Sequence, residues 1–93
     1  LYVSPARHVV RVNGRDVTLT LKEYEVLKML LENQDVVLTR DRLLNQVWGY
    51  SFDGESRTVD VHIKRLREKI KDHEDWAIST VWGIGYKFEV KHP

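Results

Sequence analysis

Residues 56–71 read SRTVDVHIKRLREKIK, and the spacing of apolar residues in this stretch decides the fold. At 100° per residue, Val59, Ile63, Leu66 and Ile70 fall within about 60° of one another, which predicts a helix with one buried seam. Ser56 stands where a cap is preferred, so the helix is expected from Arg57 to about residue 72. Its cations are Arg57, Lys64, Arg65, Arg67, Lys69 and Lys71, and its anions are Asp60 and Glu68. Six minus two gives +4 here, which leaves −3 for the remainder of a chain whose net charge is +1. A basic stripe concentrated on a near-neutral protein suits a polyanion. It equally suits a solvated face laced with ion pairs, or a face for another protein. Val61 separates these readings. It sits at the centre of the outward face, flanked by Arg57, Thr58, Lys64, Arg65 and Glu68, with Asp60 and Arg67 on one shoulder. A solvated face has little use for a β-branched apolar residue there. A helix in a DNA major groove does, because a small apolar side chain can meet a thymine methyl while cations reach guanine edges or phosphates. The spacing of Asp60 and Lys64 also allows an i,i+4 pair, in which Asp60 orients a cation.

Outward from this helix the signals are ordered. Val9–Val12 and residues 15–19 read as two strands around Asn13-Gly14, a strong hairpin signal. Thr20-Leu21-Lys22-Glu23 has the form of a capping box and opens a helix to about Asn33, with Leu21, Tyr24, Leu27, Leu30 and Leu31 as its expected buried face. Residues 36–38 read as a short strand. Thr39 then caps a second helix, Arg40–Trp48, packed through Leu43, Leu44, Val47 and Trp48 and stopped by Gly49. Residues 49–55 (GYSFDGE) carry no period and read as a loop. Residues 76–82 and 86–90 read as strands around Gly83-Ile84-Gly85, a closing hairpin.

Composition bounds the function. Ninety-three residues with 42% hydrophobic content suit one folded domain. No apolar run nears the roughly 20 residues of a bilayer span, and no signal peptide is recognisable, so no membrane partner is expected. Cysteine is absent, which suits a cytoplasmic setting and leaves no thiolate metal site. His8, His62, His73 and His92 lack ligand spacing, so no metal is expected. His62 adjoins the buried seam and is expected to be packed or hydrogen-bonded. Gly83-Ile84-Gly85 precedes a strand, not a helix, and is no phosphate loop. With no nucleophile beside a base and no paired acids, neither an enzyme nor a cofactor is expected. The chain begins at Leu1, and it is expected to be one domain of a longer protein.

Four segments together resemble the OmpR/PhoB-type winged helix, the output domain of two-component response regulators. They are LTLKEYEVLKMLL at 19–31, VLTRDRLLNQVWG at 37–49, RTVDVHIKRLREKI at 57–70 and TVWGIGYKF at 80–88. The ending TVWGIGYKFEV is most similar to the ResD-like branch of Gram-positive bacteria. The resemblance implies an α+β winged helix-turn-helix: a four-stranded N-terminal sheet (about 1–19), a three-helix core (20–72) and a wing hairpin (76–90). It implies sequence-specific binding of double-stranded DNA, with the third helix in the major groove and the wing at the minor groove or backbone. By position it assigns DNA contacts to Arg57, Thr58, Asp60, Val61, Lys64, Arg65 and Arg67. It adds Trp48 near the backbone and Thr80 and Trp82 at the wing. Many relatives carry Arg where this chain has Trp82, so the wing's electrostatic contribution is expected to be smaller. The loop Tyr50, Ser51, Phe52, Asp53, Gly54 and Glu55 corresponds to a contact site for RNA polymerase. One of its aromatics folding back onto Trp48 is the competing reading. A covalently linked N-terminal receiver domain, absent from this chain, and a second copy bound to a direct repeat complete the implied partners. The alternative is a winged helix used only for protein contacts.

Overall fold

A computed structural model describes residues 2–4, 8–12, 14–50, 54–70 and 75–90. Strands β1 (Tyr2–Ser4), β2 (Val9–Val12) and β3 (Arg15–Thr18) form an antiparallel sheet in that order. Its register pairs Val10 with Val17 and Val12 with Arg15, and Gly14 turns the chain at φ +79°. A positive φ is accessible to glycine at little cost, so the hairpin closes where the Asn-Gly signal expects it, Asn13 itself lying outside the described residues. The resemblance implies four strands in this sheet; among the described residues there are three.

Helix α1 (Leu21–Glu32) begins as the sequence specifies. Thr20 accepts a bond from the Glu23 amide at 3.2 Å, and Glu23 Oε1 accepts from the Thr20 amide at 2.9 Å. These satisfy two of the amides a helix start leaves unpaired. The buried face differs from expectation at one end. Tyr24, Val26, Leu27, Met29 and Leu30 are buried, whereas Leu21 is exposed. Nine residues separate Leu21 from Leu30, which at 100° per residue puts them on opposite sides of the helix.

Strand β4 (Leu38–Thr39) leads directly into α2 (Arg40–Trp48), capped by Thr39 and ended by Gly49. The strand starts at Leu38, after Val36 and Val37, which are exposed. Helix α3 (Arg57–Ile70) follows, then β5 (Trp76–Val81) and β6 (Gly85–Val90). These last strands form a hairpin, and β4 joins it to give a second sheet of order β4-β6-β5. Two boundaries move relative to expectation. Trp82 sits in the turn and not in the strand, and Gly85 opens β6 and is no part of the turn. The pairing Thr39↔Gly85 accounts for the second: β4 recruits Gly85 as a partner strand residue.

The core lies where the three helices meet the second sheet. The seam Val59, Ile63, Leu66 and Ile70 is wholly buried, against Leu27, Leu30, Leu43, Ile78 and Phe88 among others. Trp76 stacks on Phe88 with ring centroids 5.5 Å apart. No helix among the described residues is long and apolar enough to cross a membrane.

One polar pair is built into this core. Glu23 is only 1% exposed, and the Lys69 ammonium lies 2.6 Å from its Oε1. Burial by itself pushes the Glu23 carboxyl up, but the bond from Lys69, the Thr20 amide and the Lys69 charge outweigh it and hold the group below its ordinary value. A carboxyl lowered in the folded state adds stability that is complete above its unfolded-state value and is lost as pH falls through the folded one. The domain is therefore expected to lose stability below about pH 4.5, the ordinary value. Replacing Glu23 with Gln should flatten that acid limb in urea unfolding curves recorded across pH.

Candidate nucleic-acid interface

Helix α3 has the two faces its sequence anticipates. Opposite the seam, Arg57, Val61, Lys64, Arg65 and Glu68 are exposed, with Val61 at 39% exposure amid the cations. Fourteen residues give about 21 Å of helix, enough to cross a DNA groove. Thr58 is half-buried and its carbonyl lies 2.8 Å from His62 Nδ1. His62 meets Trp48 edge-on at 4.8 Å, which makes it a packing residue as expected. Trp48 is half-buried between the end of α2 and this face, with the Lys22 ammonium 5.8 Å from its ring centroid. Lys22 also donates to the Val47 carbonyl at 2.8 Å, neutralising the C-terminal end of α2.

The remaining cations of the stripe divide. Lys69 turns inward to Glu23, as described above. Arg67 is half-buried: its Nε and Nη2 donate to the Ile78 carbonyl at 3.1 and 2.7 Å, and Nη2 also donates to Thr80 Oγ1 at 2.7 Å. Its guanidinium lies 5.6 Å from the Tyr86 ring centroid. Lys71 lies outside the described residues.

Asp60 is also engaged within the protein. It accepts the Tyr86 hydroxyl at 2.5 Å and sits 3.1 Å from Arg40 Nε, an ion pair rather than an aligned hydrogen bond. The cation that Asp60 orients is thus Arg40 from α2, in place of the Lys64 expected from helix spacing. Burial, then the bond to Asp60 and its charge, keep the Tyr86 phenol protonated above its ordinary range. Sequence reading missed Tyr86 and Arg40. Their partners lie 26 and 20 residues away on other elements, beyond any local pattern.

The wing tip is apolar. Trp82 is 88% exposed and Ile84 is exposed beside it, in a turn that Gly83 closes at φ +77°. Ile84 donates to the Val81 carbonyl at 3.0 Å and accepts from the Arg40 amide at 3.4 Å, so the turn is joined to the start of α2. Tyr50 is 82% exposed, and Gly54 and Glu55 lie at the entry to α3. Ser51, Phe52 and Asp53 lie outside the described residues, as do His73 and His92. Among the described residues no cluster of His, Cys, Asp or Glu could hold a metal ion.

Comparison with known proteins agrees with this architecture. Residues 14–88 match the family described as transcriptional regulatory protein, C terminal. The chain is 52% identical over 86 residues to the transcriptional regulatory protein ResD of Bacillus subtilis, in agreement with the branch its ending resembles. That alignment covers 89% of this chain and 36% of ResD, so the chain spans about a third of the relative's length. Among solved structures it is similar to the response regulator DrrB of Thermotoga maritima, an OmpR/PhoB homologue. The TM-score is 0.80 at 36% identity, covering 94% of this chain and 40% of that one. It is equally similar to the RstA DNA-binding domain of Klebsiella pneumoniae, solved in complex with the RstA box. There the TM-score is 0.79 at 35% identity, covering 94% of this chain and 88% of that one. With the family matched over most of its length and the winged-helix architecture in place, the chain belongs to the C-terminal, OmpR/PhoB-type DNA-binding domains of response regulators.

Proposed function

We propose that this domain binds double-stranded DNA sequence-specifically as the output module of a response-regulator transcription factor. The observation that carries the reading is the outward face of α3, where exposed Arg57, Lys64 and Arg65 surround Val61 beside a protruding wing. In this reading α3 lies in the major groove. Lys64 and Arg65 reach base edges or phosphates, Val61 meets a thymine methyl, and Arg57 and Thr58 anchor the helix start to the backbone. Trp48 borders the backbone at the end of α2. Trp82, and Thr80 at the base of the wing, face the minor groove or its sugars. An indole cannot neutralise a phosphate, so the wing adds packing and little charge.

The longer relatives support a covalently linked receiver domain in the full-length protein. Receiver phosphorylation then acts by bringing two copies together on DNA, since tandem binding makes the second event effectively intramolecular. Direct repeats about one helical turn apart, roughly 10–10.5 bp, are the corresponding site. Tyr50 and Glu55, both exposed, belong to the segment proposed to contact RNA polymerase.

Salt dependence tests the reading. Each phosphate neutralised steepens the fall of log affinity with log salt by about 0.9. With the exposed cations of α3 and the neighbouring basic residues engaged, a slope of about −3 to −5 is expected for a duplex titration. A flat response, or no binding at low salt, would instead mark a winged helix that contacts only proteins.

A further inference from the structure

Asp60 and Arg67 stand on the recognition helix seven residues apart, two turns of α3, and each is bonded to a different strand of the wing hairpin. Arg67 grips β5 through the Ile78 carbonyl and Thr80 Oγ1, and Asp60 holds β6 through the Tyr86 hydroxyl. The Arg67 guanidinium lies against the Tyr86 ring, which joins the two ties into one chain: Thr80, Arg67, Tyr86, Asp60 and, on α2, Arg40. The buried seam already packs α3 on Ile78 and Phe88, and apolar packing is not directional. Two polar ties separated by about 10 Å along the axis add direction, and together they set the helix's angle and rotation against the wing.

We infer that Asp60 and Arg67 are positioning residues. They set the recognition helix and the wing at one fixed angle, so that two grooves are read as a unit, and they are not themselves readers of bases. The polar atoms support this assignment. Arg67 directs both Nε and Nη2 at acceptors of the protein, and a bidentate grip of this kind depends on the planar guanidinium fork. Asp60 holds a phenolic proton and an arginine charge on Oδ1, and these two contacts fix the orientation of its carboxylate toward β6 and α2. Tyr86 is buried, so its hydroxyl is spent inside the domain. The apolar wing tip makes the angle more consequential here. Without a cation at Trp82, long-range attraction cannot draw a misaligned wing onto the backbone, and contact depends on where the hairpin is held.

The inference rests on the DNA-binding reading for its function but not for its geometry, and the experiment separates the two. The variants are Tyr86→Phe, which removes one hydroxyl without changing shape, and Arg67→Lys, which keeps the charge but not the fork. In the free proteins, backbone residual dipolar couplings report the angle between α3 and the hairpin; a change in both variants is expected. Affinities are then compared for a duplex selected from random sequence by the wild-type protein and for a scrambled duplex of equal length. The selected-to-scrambled ratio is expected to fall about tenfold in each variant, with the salt slope unchanged. A merely structural role would lower the unfolding midpoint and leave both angle and ratio as they were, which would overturn the inference. So would full affinity in Arg67→Lys together with a slope shallower by about one in Arg67→Ala, the behaviour of a phosphate ligand. If the wild-type protein preferred no duplex, the DNA-binding reading would fail, and the couplings alone would still decide whether the two ties hold the wing.

Discussion

Replacing Lys69 with Met is expected to destabilise the domain by about 3 kcal/mol, although Lys69 reads in sequence as one more cation of a surface stripe. The side chain is 35% exposed, but its partner Glu23 is 1% exposed. Removing the ammonium leaves a carboxylate out of water, held among the described residues only by its bonds with Thr20. Removing the other partner is gentler. In Glu23→Gln the orphaned ammonium can swing to solvent and the amide oxygen can still cap Thr20, so about 1 kcal/mol is expected. The asymmetry is the signature, and it follows from which partner is buried. In thermal unfolding, Lys69→Met should lower the midpoint by on the order of 10–20 °C for a domain of this size. The double variant should regain much of that loss, because no charge is then left buried. Equal small losses from both single variants would show that the pair is an ordinary surface contact.

The second large effect is expected at Gly85. Its position in β6 is set by space, not by backbone angle. A Cβ there would overlap the Leu38 carbonyl oxygen and come within 2.9 Å of Leu38 C and Thr39 Cα. These are backbone atoms, so no rotamer change relieves the clash. Gly85→Ala must part β4 from β6 and is expected to cost about 3 kcal/mol, at the upper end for overpacking. Thr39, the partner of Gly85, is also the N-cap of α2, so the disturbance reaches the helix start. Gly83 is the control: nothing lies within 4 Å of a Cβ there, and Gly83→Ala carries only the strain of its positive φ, about 1 kcal/mol. Urea unfolding of the two variants compares them directly. Equal midpoints would mean that the β4–β6 approach is looser than the structure has it.

These two residues mark where sequence reading reaches its limit. The seam Val59, Ile63, Leu66 and Ile70 was legible because amphipathic periodicity is a property of one continuous segment. The caps at Thr20 and Thr39 were legible for the same reason. Glu23 reads as half of a capping box, and that local role conceals its second one, since Lys69 lies 46 residues further on. The apolar spacing of α1 includes Leu21 in a broad buried face, yet it lies half a turn of phase from Leu30 and is exposed. Gly85 read as turn because glycine favours turns, whereas its cause is a close approach by β4. At the site, residue types and the outward face of α3 were readable, but the distribution of labour was not. Asp60 and Arg67 carry the right charges in the right places for a DNA contact. Only the hairpin, which folds back from outside the helix, reveals partners for them within the protein.

The central claim is that the Val61, Lys64 and Arg65 face reads base pairs. The most direct test measures Arg65→Ala and Lys64→Ala against a selected duplex and a panel of its single base-pair changes. The expected result is a loss of about 1–3 kcal/mol on the selected duplex for at least one of the two variants, with discrimination relaxed at one or two adjacent positions and retained elsewhere. Val61→Ala should relax preference for thymine at a neighbouring position without altering the salt slope. If each variant instead weakened every duplex by the same factor, α3 would be a clamp on the phosphate backbone, and sequence would be read somewhere else.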